Sequence, residues 1–391
     1  MGSRSTGRRV RRAATLMLTT GASIVALAAC GSSDGGTSTG ASGPVGGGIT
    51  RPVDLAAYQP SDKAGTKPDL PKRLALAMDN DREFAQSIKH GLEVATKERG
   101  IEFVSANANG DSAKNVQQLQ QFLAQGVGAL WVNPIDPAAQ GPVMKQALDR
   151  GIAVLGVLMP PSTLQMNANQ YTVGKALGDD AARYIEDQLG GKANVVILNQ
   201  DSIEPVRPRF RAIRDALKTV PGAKIVADIE PSQTQKDSAF STMNTILQKN
   251  PQVDVVLGAD SVVLGAYAAL RAAHKDTPQQ YLGGVDGEPE ALADIKAGGA
   301  YKASVALAPA VLAYAAGLSA ADWLDGKTIP QAIDVHPVLL NSPAAVDAFA
   351  ADEDDPSGTF ADQAKRDRYL TLRGGISYDT RGKYLNYVWT P

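Results

Sequence analysis

An α/β fold built on parallel sheets is predicted for this chain by three observations. Short apolar runs alternate with longer amphipathic ones from residue 73 onward. Those apolar runs are continuous, which marks strands buried on both faces and joined by helices. Polar or glycine-bearing stretches follow the strand ends, where ligands sit in an open parallel sheet. After Leu70 about 320 residues of ordinary hydrophobicity remain, too many for one core and suited to two domains.

The elements follow in order. "RLALAMD" (73–79) reads as a buried strand, and 84–99, with Phe84, Ile88, Leu92 and Ala95 on one face, as a helix stopped by Gly100. The unit then recurs. "IEFVSAN" precedes a helix over 113–125, "GALWVNPID" one over 138–150, and "AVLGVLM" one over 174–189. "NVVILNQ" precedes 207–220, "KIVADIE" 238–250, and "VDVVLGAD" 262–273, before the run "QYLGGVDG". Right-handed crossovers of this kind give doubly wound sheets with helices on either side.

The first 69 residues have a different character. Residues 1–29 carry five arginines and no acidic residue, followed by an apolar run too short for a comfortable span, which is the layout of a secretory signal peptide. Leu27-Ala28-Ala29-Cys30 resembles the lipobox of bacterial lipoproteins, which implies cleavage before Cys30 and lipidation of that residue, the only cysteine of the chain. The pairs Arg8-Arg9 and Arg11-Arg12 also raise a twin-arginine export signal, although Ala and Thr follow them. Residues 31–69 are rich in Gly, Ser, Thr, Pro and Asp and cannot bury enough apolar surface to offset ordering entropy, so they are expected to form a tether with a reach of roughly 35 Å. Removing the signal arginines leaves 34 basic residues against 41 acidic ones, a formal charge of −7 that disfavours a nucleic-acid partner.

From 72 to about 335 the chain resembles the ribose-type solute-binding proteins of ABC importers, which have the type I periplasmic binding fold. The resemblance rests on the order and spacing of Asn133-Pro134-Ile135-Asp136, Gly151-Ile152-Ala153-Val154, Gly284-Val285-Asp286-Gly287 and Leu324-Asp325-Gly326-Lys327. It implies two doubly wound parallel-sheet lobes joined by a three-segment hinge, with crossings near 170, 306 and 335. The lobes it implies are 70–169 plus 307–335 and 170–306 plus 336–343, with 344–391 as a C-terminal extension. The partners it implies are a small sugar or polyol and ABC permease subunits, for a monomer on the outer face of the cytoplasmic membrane whose only membrane attachment is its lipid. No cofactor, metal or enzymatic activity is implied. A ligand-binding sensor component facing a membrane receptor is the rival role.

Placed on the family's pattern, Asp81 and Phe84 fall on the first loop, Arg207 before the helix "RPRFRAIRDAL", with Arg209 and Arg211 near enough that the guanidinium entering the cleft is open by two residues, Asp260 after "VVLGA", and Asp286 in "GGVDG". Ribose binders carry an Asp-Arg pair after the fourth strand; this chain has Leu158-Met159 there. The second first-loop aromatic is replaced by Glu83, the third stacking ring by Thr234, and the amide near 306 by Ala306 or Leu307. Those departures point to a ligand with fewer hydroxyls than ribose or glucose. Asp79, Asp81, Glu83, Asp260 and Asp286 raise a second option, a cationic ligand such as an amino sugar or amine that relieves their mutual repulsion.

Catalytic and metal motifs are weak. His90, His274 and His336 lie on separate elements without a nucleophile elbow or metal-binding helix. "DNDREF" (79–84) and "DEDDPSG" (352–358) lack the glycine and glutamate of a calcium loop. Finally, "GGISYDTRGKYLNYVW" alternates like a hairpin around Asp379-Thr380-Arg381-Gly382, with Tyr378, Tyr384, Tyr387 and Trp389 available to cover a lobe or the hinge.

Overall fold

The computed structural model describes residues 54–386 apart from 62 and 64, so the signal peptide, Cys30, most of the linker, Tyr387 and Trp389 lie outside the described residues. The apolar runs become strands: Leu74–Ala77 and all of Ala129–Val132 are wholly buried. In chain order the first half comprises β1 (Arg73–Met78), α1 (Glu83–Glu98), β2 (Glu102–Asn107), α2 (Ser112–Gln125), β3 (Ala129–Val132), α3 (Pro137–Asp149), β4 (Ala153–Val157), β5 (Leu164–Ala168), α4 (Gln170–Gln188) and β6 (Lys192–Leu198). There follow α5 (Arg207–Leu217), β7 (Gly222–Ile229), α6 (Lys236–Lys249), β8 (Val255–Leu257), α7 (Asp260–Ala272), β9 (Tyr281–Val285), α8 (Pro289–Ala297), β10 (Tyr301–Ala306) and α9 (Pro309–Leu324). The chain continues with β11 (Ala332–Val335), β12 (Val338–Leu340), α10 (Pro343–Asp354), α11 (Pro356–Ala361), α12 (Gln363–Tyr369) and β13 (Leu370–Arg373).

Two sheets result. The first runs β13-β11-β5-β4-β3-β1-β2 and the second β12-β10-β9-β8-β6-β7, each parallel except for one antiparallel edge strand, β13 and β12 respectively. Side-chain caps fix where several helices begin. Asp111 accepts from Lys114 N, Asp136 from Ala139 N and Asn169 from Thr172 N. The chain passes between sheets from β5 to β6, from β10 to β11 and from β11 to β12, which is the three-segment hinge of a two-lobed fold. It crosses a fourth time between β12 and β13, a connection outside the sequence reading.

That fourth connection explains α9. The helix is apolar on nearly every side, and a helix of that kind has to be covered all round. α1 and β4 of the first lobe cover part of it, and α10, α11 and α12 cover the rest. The Tyr314 ring meets Phe360 edge-on at 5.7 Å, and Glu353 accepts from the free N–H groups of Ala310 (3.0 Å) and Val311 (3.2 Å) in its first turn.

Two expectations are corrected. Residues 378–383 form a 3-10 turn closed by reciprocal Ser377 and Thr380 bonds, not a hairpin turn; pairing is instead supplied by β13 on β11 and by single bridges of Ile376 to Ile329 and Leu385 to Ser162. The end of the expected tether is also docked. Ala57 bridges Arg373, Tyr58 N donates to Leu372 O at 2.9 Å, and Tyr58 Oη donates to Thr328 O at 2.6 Å. The reason is that β13 is a sheet edge whose backbone groups seek partners, and this stretch supplies them.

Candidate ligand-binding cleft

A cleft of about 290 Å³ is lined from both sheets by residues that follow their strands. Its first-lobe wall starts at Asp79, just beyond β1. Asn80 Nδ2 donates to Asp79 Oδ2 at 2.6 Å and Asn133 Nδ2 to Asp79 Oδ1 at 3.1 Å, while Trp131 Nε1 holds Asn133 Oδ1 at 2.8 Å. The carboxylate is thus aimed by a relay rooted in the core. Arg82, preceding α1, reaches across to Asp286 of the second lobe at 3.3 Å and lies 3.8 Å from Asp79. One ion pair therefore joins the two lobes inside the cleft.

The second lobe contributes Arg209, which is only 6% exposed. Its Nε donates to Gln170 Oε1 at 2.9 Å, and Gln170 Nε2 is tied to Ala168 O at 3.1 Å. Gly174 makes this position reachable: a Cβ there would stand 1.9 Å from Arg209 O, so only glycine lets α4 and α5 approach so closely. Burial lowers the Arg209 guanidinium pKa and raises that of the Asp286 carboxyl; the charges of Arg209 and Asp286 each oppose the other's shift, while Arg82 opposes that of Asp286 and adds to that of Arg209. Asp286 sits at φ 121° and Leu158 at φ 56°, backbone conformations that strain any residue with a Cβ. Each is pinned by a backbone bond, Asp286 N to Val305 O at 3.0 Å and Leu158 N to Met166 O at 2.8 Å.

Two further carboxamides of the lining, Gln200 and Asn167, hold polar atoms without a protein partner. Gln200 Nε2 donates to Thr234 Oγ1 at 3.0 Å while its Oε1 has no partner. Asn167, in β5, is 1% exposed, and neither its Oδ1 nor its Nδ2 has a protein partner. Asn167 is absent from the sequence analysis because β5 is not among the strands read there; the signal is a polar residue inside the short run "LQMNA", directly ahead of the α4 cap.

Of the residues singled out from sequence, Asp79, Phe84, Leu158 and Asp286 line this cleft. The other five do not. Asp81 is exposed and outside the lining. Glu83 lines a separate cavity of about 510 Å³ bounded by α1, α8 and α10. Met159 is 1% exposed and packed in the first-lobe core, because the chain turns inward immediately after Leu158. Arg207 is exposed, its Nε on Asp201 O at 2.9 Å; two residues on a helix point to opposite sides, so Arg209 is the one that faces inward. Asp260 is wholly buried behind the cleft and accepts from Tyr301 Oη (2.6 Å), Ser304 Oγ (2.7 Å) and Glu288 N (2.8 Å). The acidic cleft read from sequence is therefore corrected: Asp79 and Asp286 reach it, and Arg82 and Arg209 balance them. Among the described residues no group of three or more His, Cys, Asp or Glu side chains is placed to hold a metal ion.

The sequence profile of the family described as periplasmic binding protein domain matches residues 75–328. The xylitol-binding protein of Mycolicibacterium smegmatis is 30% identical over 270 residues, covering 66% of this chain and 75% of the relative. The ribose import binding protein of Bacillus subtilis is 28% identical over 279 residues, covering 69% of this chain and 87% of the relative. Among solved structures, the 5-methylthioribose transporter solute-binding protein of Thermotoga lettingae, in complex with 5-methylthioribose, superposes with a TM-score of 0.63 at 23% identity, covering 72% of this chain and 90% of that one; at this identity the likeness shows the fold. The chain belongs to the periplasmic binding protein domain family, as an extracytoplasmic solute-binding protein of the ribose-type branch that serves ABC importers.

Proposed function

We propose that this chain captures a small sugar or polyol between its lobes and hands it to a permease, working as a monomer held at the outer face of the cytoplasmic membrane by lipid on Cys30. The family consists of binding proteins, not enzymes. The single observation that carries the ligand class is Asn167. Its carboxamide is desolvated in the cleft wall with both polar atoms unpartnered, an arrangement that costs about 1–3 kcal/mol for each group left so. A ligand hydroxyl both donates and accepts, and an amide offers one group of each kind. Arg209, Asp286 and Gln200 line the same cleft and add hydrogen-bonding groups to it. Closure of the lobes excludes water from these groups and makes each bond count for more.

The test is thermal unfolding of the full chain with xylitol, D-ribose and D-allose added singly. A compound present at about 100 times its dissociation constant adds about 2.7 kcal/mol of stability, a readily measured upward shift in Tm. At least one of the three is expected to produce it. No shift with any of them at millimolar concentration overturns the reading.

A further inference from the structure

The cleft is not uniformly polar. Along the first sheet, the strands β1 and β3 end in Asp79 and Asn133, whereas β4 and β11, on the hinge side, end in Val157, Leu158 and Val335. Met166 of β5 lies in register with Val157, and Leu307 and Leu312 arrive from the crossing after β10. These six side chains form an aliphatic wall that offers no side-chain hydrogen bond. Nearby backbone groups are already used, Leu158 N on Met166 O and Leu312 N on Ala308 O. Leu158 is also held at a positive φ, so the fold tolerates backbone strain at the residue that turns an apolar side chain into the cleft. Asn167 stands on β5 between the two wall strands, so aliphatic side chains flank it on both sides.

A hydroxyl pressed against such a wall loses its water and finds no partner, while a methyl or thioether group there gains burial and dispersion contacts. We propose that the ligand is a short sugar or polyol with an apolar terminus, a deoxy, methyl or alkylthio group in place of a terminal hydroxyl. Its polar face meets Asp79, Arg82, Arg209 and Asp286, a hydroxyl meets Asn167, and the apolar end seats on the hinge wall. This rests on the sugar or polyol reading above and narrows it.

The experiment is titration calorimetry of the full chain with D-ribose, 5-deoxy-D-ribose and 5-methylthioribose, repeated with Leu158→Asn. Asparagine accepts the left-handed backbone better than leucine and adds hydrogen-bonding groups to the wall, so the variant is expected to fold. In the wild type, one of the two apolar-ended sugars should bind at least about tenfold tighter than D-ribose. In Leu158→Asn that ratio should fall by at least about tenfold. Leu307→Thr, read the same way, should lower it as well. D-ribose binding as tightly as both apolar-ended sugars, or a ratio unchanged by both variants, overturns the wall's role and leaves the sugar reading standing. No binding by any of the three, together with no Tm shift from xylitol or D-allose, overturns the sugar reading and this inference with it.

Discussion

Asp260 and Asn167 are both polar, both buried and both near a strand end, yet they do opposite work. Asp260 is surrounded: a tyrosine hydroxyl, a serine hydroxyl and a backbone N–H donate to it within 2.8 Å. Asn167 is equally sequestered and has no protein partner at either amide atom. A buried polar group with its bonds filled knits the second lobe together; one left open in a cleft wall is a place for a ligand. Nearness to a strand end does not distinguish them. Only the partners do.

The comparison makes its largest prediction at Asp260. Replacing it with alanine leaves the Tyr301 and Ser304 hydroxyls and the Glu288 N–H without their acceptor, so Asp260→Ala should lose about 3–5 kcal/mol of stability in chemical denaturation. A loss below about 1 kcal/mol would mean the network is not structural.

Glu288 is the intermediate case. Its backbone N–H is bonded to Asp260, but its carboxyl Oε1 has no partner, and the side chain is 3% exposed. Burial, followed by the charges of Asp286 and Asp260, pushes its pKa from 4.5 up to about 8. The folded chain thus keeps a proton that the unfolded chain releases above about 4.5, and its stability contribution is lost as pH rises from there toward 8. Glu288→Gln should flatten this slope, raising stability on the order of 1–3 kcal/mol at pH 8.5 relative to wild type and changing it little at pH 4. Parallel denaturation curves for the two proteins across that range would refute the assignment.

The smallest effect is expected at Arg207. It is exposed and bonded only to a neighbouring carbonyl, so Arg207→Ala should change stability by less than about 0.5 kcal/mol and leave calorimetric affinity unaltered. Arg209→Ala should abolish binding of whichever sugar stabilises the wild-type chain. Equal effects of the two would contradict the placement of the cleft.

Much of the fold was legible because continuous apolar runs such as "ALWV" have one low-energy use, a strand covered on both faces. Asp79, Phe84, Leu158 and Asp286 were legible for the same reason, since the carboxyl ends of parallel strands must meet a ligand if anything does. The failures have physical causes. Met159 and Arg207 missed by one and two residues, the distance over which a chain or a helix reverses its facing side. Asp260 was misread because satisfaction depends on Tyr301 and Ser304, more than 40 residues away in sequence. The docked stretch around Tyr58 looked like a free tether because its partner, β13, is an edge created by the far end of the chain. The all-round apolar character of α9 was the available sign that a further layer had to cover it.

The most direct test of the central claim is a pair of readings on Asn167→Ala: its Tm without ligand, and its dissociation constant by titration calorimetry for whichever of xylitol, D-ribose, D-allose and 5-methylthioribose stabilises the wild-type chain most. Removing an unpartnered buried amide relieves its desolvation cost, so Tm should hold or rise, while affinity should fall about tenfold to a hundredfold as the ligand loses its donor and acceptor. A lowered Tm with unchanged affinity would show that Asn167 belongs, like Asp260, to the framework and not to the site.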